Sequence, residues 1–522
     1  MNETIRKAIY DKYIAPTAKE RPDYIGVEIE MPVVNLSGQP VDEAVSIEAA
    51  EKFIDHFNFI ESGWDTDGNI TSAKDTQTGD ILSFDCCYSN LELSFGKAAG
   101  LFEIKERFEK YVRFLNSEFA KHGYALTGMG VNPNADINHN LPIQNERYRM
   151  LYHYLHSYPE HTDEVDIRFH KRPDFGTFTS ASQVQLDVDY DQLTDVINVF
   201  GLLEPYKAIL FANSYLPDYP DFLCVRNMLW EHSMQGYNPH NVGMFGKILT
   251  NTDELIDYIG TQSIYCTMRD GKYVNFTPLT LDEYFSRDSI EGEFFDGKEY
   301  RKIEFAPEAG DLEYLRTFKF EDLTFRGTIE YRSSCCQPLS EAMTVAAFHT
   351  GLKEKLYELK ELVENDEVIY SHGFNATELQ KLLSKRKLPK YIDEGAVERQ
   401  LIRILDLASA GLLGLLLIPL PDYLVVLLTG IKYLLTEHYK LRVDNLVKLS
   451  LADSMNGAVF VAVTVVAVAG VLHPRLAATV LFLAIKFAPQ SAHFIIPQYL
   501  WIVFPNLART PLLSLLSRST CA

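Results

Sequence analysis

Apolar and polar positions alternate with a period of two at residues 21–34 and 80–95, in short stretches flanked by Gly, Asp and Asn. That is the pattern of strands. In Gly26-Val27-Glu28-Ile29-Glu30-Met31 the alternation turns Val27, Ile29 and Met31 to one side and both glutamates to the other. Between these segments the spacing becomes helical at residues 43–59, with Ala44, Ile47, Ala50, Phe53, Ile54 and Phe57 on one stripe. A longer amphipathic helix is predicted over 101–121, from Phe102, Ile104, Phe108, Val112, Leu115 and Phe119. A strand near 125–131, an Asn/Pro-rich loop at 132–142 and a helix near 146–155 follow. Further on, a strand is expected at 181–188 and a helix at 191–213, with strand and loop signals over 260–332. Residues 338–364 are helical in pattern, and Asn375-Ala376-Thr377-Glu378 has the form of a capped start to a last short helix. Strands mixed irregularly with helices of unequal length point to an α+β fold.

The pattern changes at residue 411, where Gly411-Leu412-Leu413-Gly414-Leu415-Leu416-Leu417-Ile418 opens about a hundred mostly apolar residues. Residues 454–474 and 487–508 contain no Lys, Arg, Asp or Glu and reach the roughly 20 residues a membrane span needs. The tail is therefore expected to contact a membrane. The alternatives are a buried helical appendage and a fused or frame-shifted gene end. Lys432, Lys440, Arg442 and Lys448 would stay on the cytoplasmic side, so residues 411–431 are not expected to cross.

The net charge of −22 belongs to the main body, because the segment from 411 onward is basic. An acidic body argues against nucleic acid as a partner, since binding a phosphate backbone needs a basic face. Seven cysteines show no CxxC or Cys/His ligand spacing, which argues against structural zinc. Their odd number, and an N-terminus with no apolar run, suggest a cytoplasmic main body.

The chemistry lies in the acids. Glu28 and Glu30, the pair Asp85 and Glu92, and Glu330 with Arg332 in Gly327-Thr328-Ile329-Glu330-Tyr331-Arg332 all sit in segments of strand character. Acids gathered on one sheet face bind hard divalent cations and, through them, a nucleotide's phosphates. Glu330 and Arg332 share a face, so one can hold a metal while the other meets a transferring phosphoryl group. No GxxxxGK[ST] loop is present, so carboxylates must do the work of a phosphate-cradling loop. Cys335-Cys336 with His349 downstream could suggest a thiol nucleophile, but adjacent cysteines in such a setting are expected to be buried small residues.

Several segments, in order, resemble the glutamate–cysteine ligases. They are residues 26–32, the Asp85-x6-Glu92 spacing, Glu146-Arg147-Tyr148, Ser182-Gln183-Val184-Gln185-Leu186-Asp187, Leu210-Phe211-Ala212-Asn213-Ser214, Arg226-x3-Trp230 and Thr328-Ile329-Glu330-Tyr331-Arg332. The likeness covers roughly residues 20–365. It implies a glutamine-synthetase-like antiparallel sheet funnel covered by helices. The expected division is a catalytic domain over residues 1–400 and an apolar, mostly helical tail over 401–522, the tail being a departure from the family. By the same resemblance, Glu28, Glu30, Asp85, Glu92 and Glu330 would ligate Mg²⁺ (or Mn²⁺) bridging ATP, and Arg332 would act on the γ-phosphoryl group. Arg147, Tyr148, Gln183 and Gln185 would line the glutamate pocket, with Arg226 and Trp230 close to it on a helix.

The implied reaction joins the γ-carboxyl of L-glutamate to the amine of L-cysteine through a γ-glutamyl phosphate, consuming ATP. The chain departs from the family after Trp230, where Asn238-Pro239-His240-Asn241-Val242-Gly243 replaces an arginine-bearing segment, so the amine acceptor stays open. The rival readings are a related ligase with another amine, and a membrane protein whose ligase-like domain binds without catalysis.

Overall fold

Segments of period two become strands, and the helical stripes between them cover one face of the resulting sheet. The structure, a computed structural model, describes residues 3–20, 22–164, 168–373 and 375–415. Helix α1 (Glu3–Ile9) precedes strand β1 (Ile25–Asn35) and helix α2 (Glu43–Phe57). Strands β2 (Ile60–Trp64), β3 (Ile70–Lys74), β4 (Ile81–Phe84) and β5 (Asn90–Ala98) follow, then helix α3 (Leu101–Ala120) and strand β6 (Tyr124–Leu126). Helix α4 (Glu146–His156), strand β7 (Ser182–Asp187) and helices α5 (Leu193–Leu210) and α6 (Val225–Glu231) come next. A short strand β8 (Val242–Gly243) and helix α7 (Thr252–Gly260) lead to β9 (Ser263–Arg269), β10 (Lys272–Thr280), helix α8 (Leu281–Tyr284), β11 (Ile290–Phe295) and β12 (Tyr300–Phe305). Strands β13 (Phe318–Lys319), β14 (Glu321–Leu323) and β15 (Thr328–Tyr331) precede helices α9 (Thr344–Lys353), α10 (Leu356–Glu364), α11 (Glu367–Tyr370), α12 (Ala376–Leu383) and α13 (Glu394–Leu415).

The fold is α+β, with its main sheet antiparallel throughout. Nine strands pair in the order β14-β15-β7-β1-β5-β4-β3-β2, with β6 also on β1. Val27, Ile29 and Met31 of β1 are fully buried, as the alternation predicts. Their face carries the helices: Phe108 and Tyr111 of α3 meet Phe95 of β5, and Phe200 of α5 meets Tyr331 of β15. A second core lies around α4, α6 and the smaller antiparallel sheet β12-β11-β10-β9, where Tyr154 stacks on Tyr265 at 3.7 Å.

Three expectations need correction. Residues 80–95 form a hairpin, β4 and β5 joined by a tight turn in which Cys86 takes a left-handed φ of 64°. The strand expected near 125–131 stops at Leu126, after which Val131 keeps only an isolated bridge to Thr179. The helix expected over 338–364 is two helices, α9 and α10, broken at Glu354 and Lys355. The predicted cap at Asn375 is present as a capping box with Glu378.

The helix it begins is not the last. Helix α13 runs across residue 401 and buries Val397, Leu401, Ile404, Ala408 and Leu412. It lies so close to α9 that a Cβ at Gly411 would sit 1.9 Å from the Gly351 carbonyl oxygen. The start of the apolar stretch at 411 is thus core packing. Residues 416–522, including both charge-free segments, lie outside the described residues. Among the described residues no helix is long and apolar enough to cross a membrane.

Gly411→Val should force α9 and α13 apart and lower stability by about 1–3 kcal/mol. The exposed neighbour Ile402 gives the control, since Ile402→Ser should stay within about 0.5 kcal/mol of wild type. Chemical denaturation followed by circular dichroism checks both, and an unperturbed Gly411→Val variant would contradict the close packing.

Candidate functional site

Strand register brings the predicted acids together. Glu30 of β1 lies directly opposite Glu92 of β5, and Glu28 lies opposite Gln183 of β7. Gln185 of β7 faces Glu330 of β15, which in turn faces Asp322 of β14. The β4–β5 hairpin explains the Asp85-x6-Glu92 spacing: Phe84 pairs with Leu91, so Asp85 at the turn reaches the end of the strand that carries Glu92. Carboxylate oxygens of Glu30, Asp85 and Glu92 all lie within 4.8 Å of one another.

Amide groups hold these acids in place. Glu30 is 5% exposed and accepts from the Ala181 N–H and from Gln183 Nε2, both at 2.7 Å. Gln185 Nε2 lies 2.9 Å from Glu28 Oε1 and 2.7 Å from Glu330 Oε1, so one amide spans two strands' carboxylates. Arg326, in the β14–β15 turn, donates to Gln185 Oε1 at 2.7 Å. Ser94 donates to Glu92.

The N-terminus of α4 borders the acids. Asn145 caps α4 by accepting from the Tyr148 N–H, which sets the Tyr148 hydroxyl 3.2 Å from the Phe84 carbonyl and 3.4 Å from Asp85 Oδ1. The Arg147 guanidinium lies over the Tyr148 ring. Arg332 pairs with Glu330 at 2.5 Å.

The structure places Arg226 and Trp230 differently from the acids. Arg226 is buried and donates to the carbonyls of Arg332 and Ser333, at 2.9 and 3.5 Å. Trp230 stacks on Phe318 at 3.9 Å and meets Phe175 edge-on. Arg226 thus braces the backbone at Arg332, and Trp230 backs Phe318, over whose ring the Arg332 guanidinium lies.

Electrostatics follow from burial and crowding. Burial pushes Glu28, Glu30 and Glu92 up to about 8, reinforced by Glu330 at Glu28 and by Asp85 at the other two. Asp85 is also raised by burial, against the pull of Arg147 and Tyr148. Burial works against the charge on Arg332, but Glu330, Asp322 and Glu28 outweigh it and hold the guanidinium protonated. An all-oxygen donor set whose charge is suppressed for want of a counter-charge fits a hard divalent cation such as Mg²⁺ or Mn²⁺.

The described cysteines are free and buried, and His349 is fully buried and held neutral. No thiol–imidazole pair forms there. The sequence reading missed Asp322, which burial raises to about 6, and Arg326. The available signal was the Gly327 turn, which folds Asp322 back opposite Glu330.

A one-sided, partly buried array of carboxylates with an arginine at its margin offers oxygen donors of the kind hard cations take and a guanidinium of the kind phosphoryl groups take. The chain belongs to glutamate–cysteine ligase family 2 (GCS2), whose sequence model matches residues 24–359. Every acid and basic residue of the site falls within that range. The chain is 26% identical over 179 residues to the chloroplastic glutamate–cysteine ligase of Brassica juncea, a match that spans 32% of each protein. Among solved structures it is similar to the glutamate–cysteine ligase of Francisella tularensis in complex with AMP, at 11% identity and a TM-score of 0.43, covering 89% of this chain and 90% of that one. A bifunctional glutathione synthetase from Pasteurella multocida follows at 10% identity and a TM-score of 0.28, covering 83% and 49%.

Between the unfolded value of 4.5 and the folded value of about 8, the folded chain holds more protons at Glu28, Glu30 and Glu92. Stability must then fall as pH rises through that window. A divalent cation displaces those protons and removes the penalty. After chelator treatment, the melting temperature should drop between about pH 5.5 and about pH 8, and Mg²⁺ should raise it more at the higher pH. Equal stabilisation by Mg²⁺ at both values, in a thermal-shift measurement, would rule out these carboxylates as its ligands.

Proposed function

We propose that this chain is an ATP-dependent ligase joining the γ-carboxyl of L-glutamate to the amine of L-cysteine, the first step of glutathione synthesis. The observation that carries the reading is the cluster of Glu30, Asp85 and Glu92, on the sheet face that also bears Glu28, Glu330 and Arg332 and within the family-matched segment. A carboxylate is a poor acyl donor, so it must first become an acyl phosphate, which the amine then attacks with loss of phosphate.

Glu28, Glu30, Asp85, Glu92 and Glu330 would hold Mg²⁺ or Mn²⁺, whose charge when bound offsets that of the nucleotide's phosphates. Arg332, kept protonated by its acidic neighbours, stabilises charge on the phosphoryl group as it transfers. Its aim depends on Arg226, which fixes the backbone carbonyls of residues 332 and 333. Arg147 and Tyr148, beside Asp85, together with Gln183 and Gln185, form the wall against which glutamate is oriented. The amides of the two glutamines can turn from carboxylate to substrate once a cation neutralises the acids they now serve.

A second reading keeps the mechanism and changes the amine. Asn238 donates to the Thr261 carbonyl and Ser263 Oγ, and Asn241 exchanges hydrogen bonds with the Ser263 backbone. These side chains are committed to holding their own loop, and the segment brings no arginine toward an amino-acid carboxylate.

Purified full-length chain with ATP, Mg²⁺ and glutamate should release ADP only when an amine is supplied, and fastest with cysteine in a panel of amino acids. Glu330→Gln and Arg332→Met should each lower turnover by about 100-fold or more. Unchanged turnover in both variants would remove the site assignment. ADP release indifferent to glutamate or amine would remove the ligase reading itself.

A further inference from the structure

Arg332 has two carboxylates within reach. Its Nε lies 2.5 Å from Glu330 Oε2 and 3.8 Å from Asp322 Oδ2. The two acids are direct cross-strand partners, so they flank the guanidinium on one face of the sheet. Asp322 is itself anchored, with Thr317 Oγ1 at 2.8 and 3.1 Å from its two oxygens. The rest of Arg332 is mounted rigidly: its N–H donates to the Phe320 carbonyl, its own carbonyl accepts from Arg226, and its guanidinium lies over the Phe318 ring. With the backbone fixed, the carboxylate partners decide where the guanidinium points.

Glu330 cannot serve every role assigned to it at full strength. It pairs with Arg332, accepts from Gln185, and on the ligase reading it also ligates a cation. A carboxylate that coordinates a dication gives up much of its attraction for a guanidinium. A largely buried guanidinium left without counter-charge is strongly destabilising.

We propose that Asp322 is a positioning residue, which retains Arg332 when Glu330 turns to a divalent cation. Closing the 3.8 Å gap to hydrogen-bond contact needs a movement of only about 1 Å. Thr317 holds Asp322 at the margin of the site, so the guanidinium swings about a fixed backbone and stays on the phosphoryl-facing side. The purpose of this hand-over rests on the ligase reading, but the shared pairing is testable without turnover.

The first test is a cycle of metal-free, full-length Asp322→Asn, Glu330→Gln and double variants, compared by melting temperature. Each single variant leaves one partner and should lose no more than about 2 °C, whereas the double loss should be at least about twice their sum. The second test titrates Mg²⁺ alone into the same proteins by calorimetry. Asp322→Asn keeps Glu330 occupied by Arg332 and should weaken Mg²⁺ binding about tenfold, and Asp322→Glu should restore it. In turnover, Asp322→Asn should lower kcat and leave KM for glutamate unchanged. Additive losses in the cycle, wild-type Mg²⁺ affinity in Asp322→Asn, or a wild-type chain that takes up no Mg²⁺ would each overturn the proposal. A chain that shows the cycle but no ligase turnover would keep the shared pairing and lose the proposed reaction.

Discussion

Carboxylates brought out of water beside one another are the constraint around which this molecule is arranged. Glu30 and Glu92 are cross-strand partners, and Asp85 joins them at the hairpin turn. Like charges so placed repel, and burial strengthens the repulsion because little water screens it. Relief comes from protons, from N–H donors or from positive charge. The Ala181 N–H and the Gln183 amide hold Glu30, Gln185 bridges Glu28 and Glu330, and Arg332 pairs with Glu330. What those donors leave unrelieved is neutralised by protons, with Glu28, Glu30 and Glu92 raised to about 8.

The reverse of the same strands keeps the array in register. Behind β14 and β15, Glu204 and Lys207 of α5 pair with one another, and Lys207 reaches Glu321 at 3.6 Å. Ser333 donates to Glu204 at 3.0 Å, one residue beyond Arg332. Alternation along a strand means that a slip of one residue would carry Glu321 to the open face and Arg332 into the helical layer. Ionic groups buried on one face therefore help to specify which side chains appear on the other. The helices that supply this backing are themselves closely docked, as at Gly351 and Gly411, where two helices meet with no room for a side chain.

Local pattern foretold a good part of this. The alternation around Glu28 and Glu30 named the strand and both of its faces, and the amphipathic stripes at 43–59 and 101–121 correspond closely to α2 and α3. The Asp85-x6-Glu92 spacing was informative for a reason its residues do not show individually: a hairpin brings its ends together. Arg226 and Trp230 illustrate the opposite case. Their spacing places them on one side of a helix, but only packing shows Arg226 reaching backbone carbonyls and Trp230 lying on Phe318. Asp322 was legible only as an acid near a glycine turn until its pairing with Glu330 was known. Helix α13 was obscured because its last turn, from residue 411, coincides with the start of the apolar tail, where composition changes but the helix does not end.

The amino-acid sequence by itself determined which side chains share a face, because that follows from backbone geometry over a few residues. It also determined the chemistry on offer: hard oxygen donors, a guanidinium, and no GxxxxGK[ST] motif. The tertiary structure decided which acids meet. Gln183 and Glu30 are separated by 153 positions and become hydrogen-bond partners only because β7 lies beside β1. No local period encodes that choice, which depends on the pairing of distant strands and on the helices that hold them. The burial that raises Glu28, Glu30 and Glu92 arises at the same step, since desolvation belongs to the assembled sheet and not to any one strand.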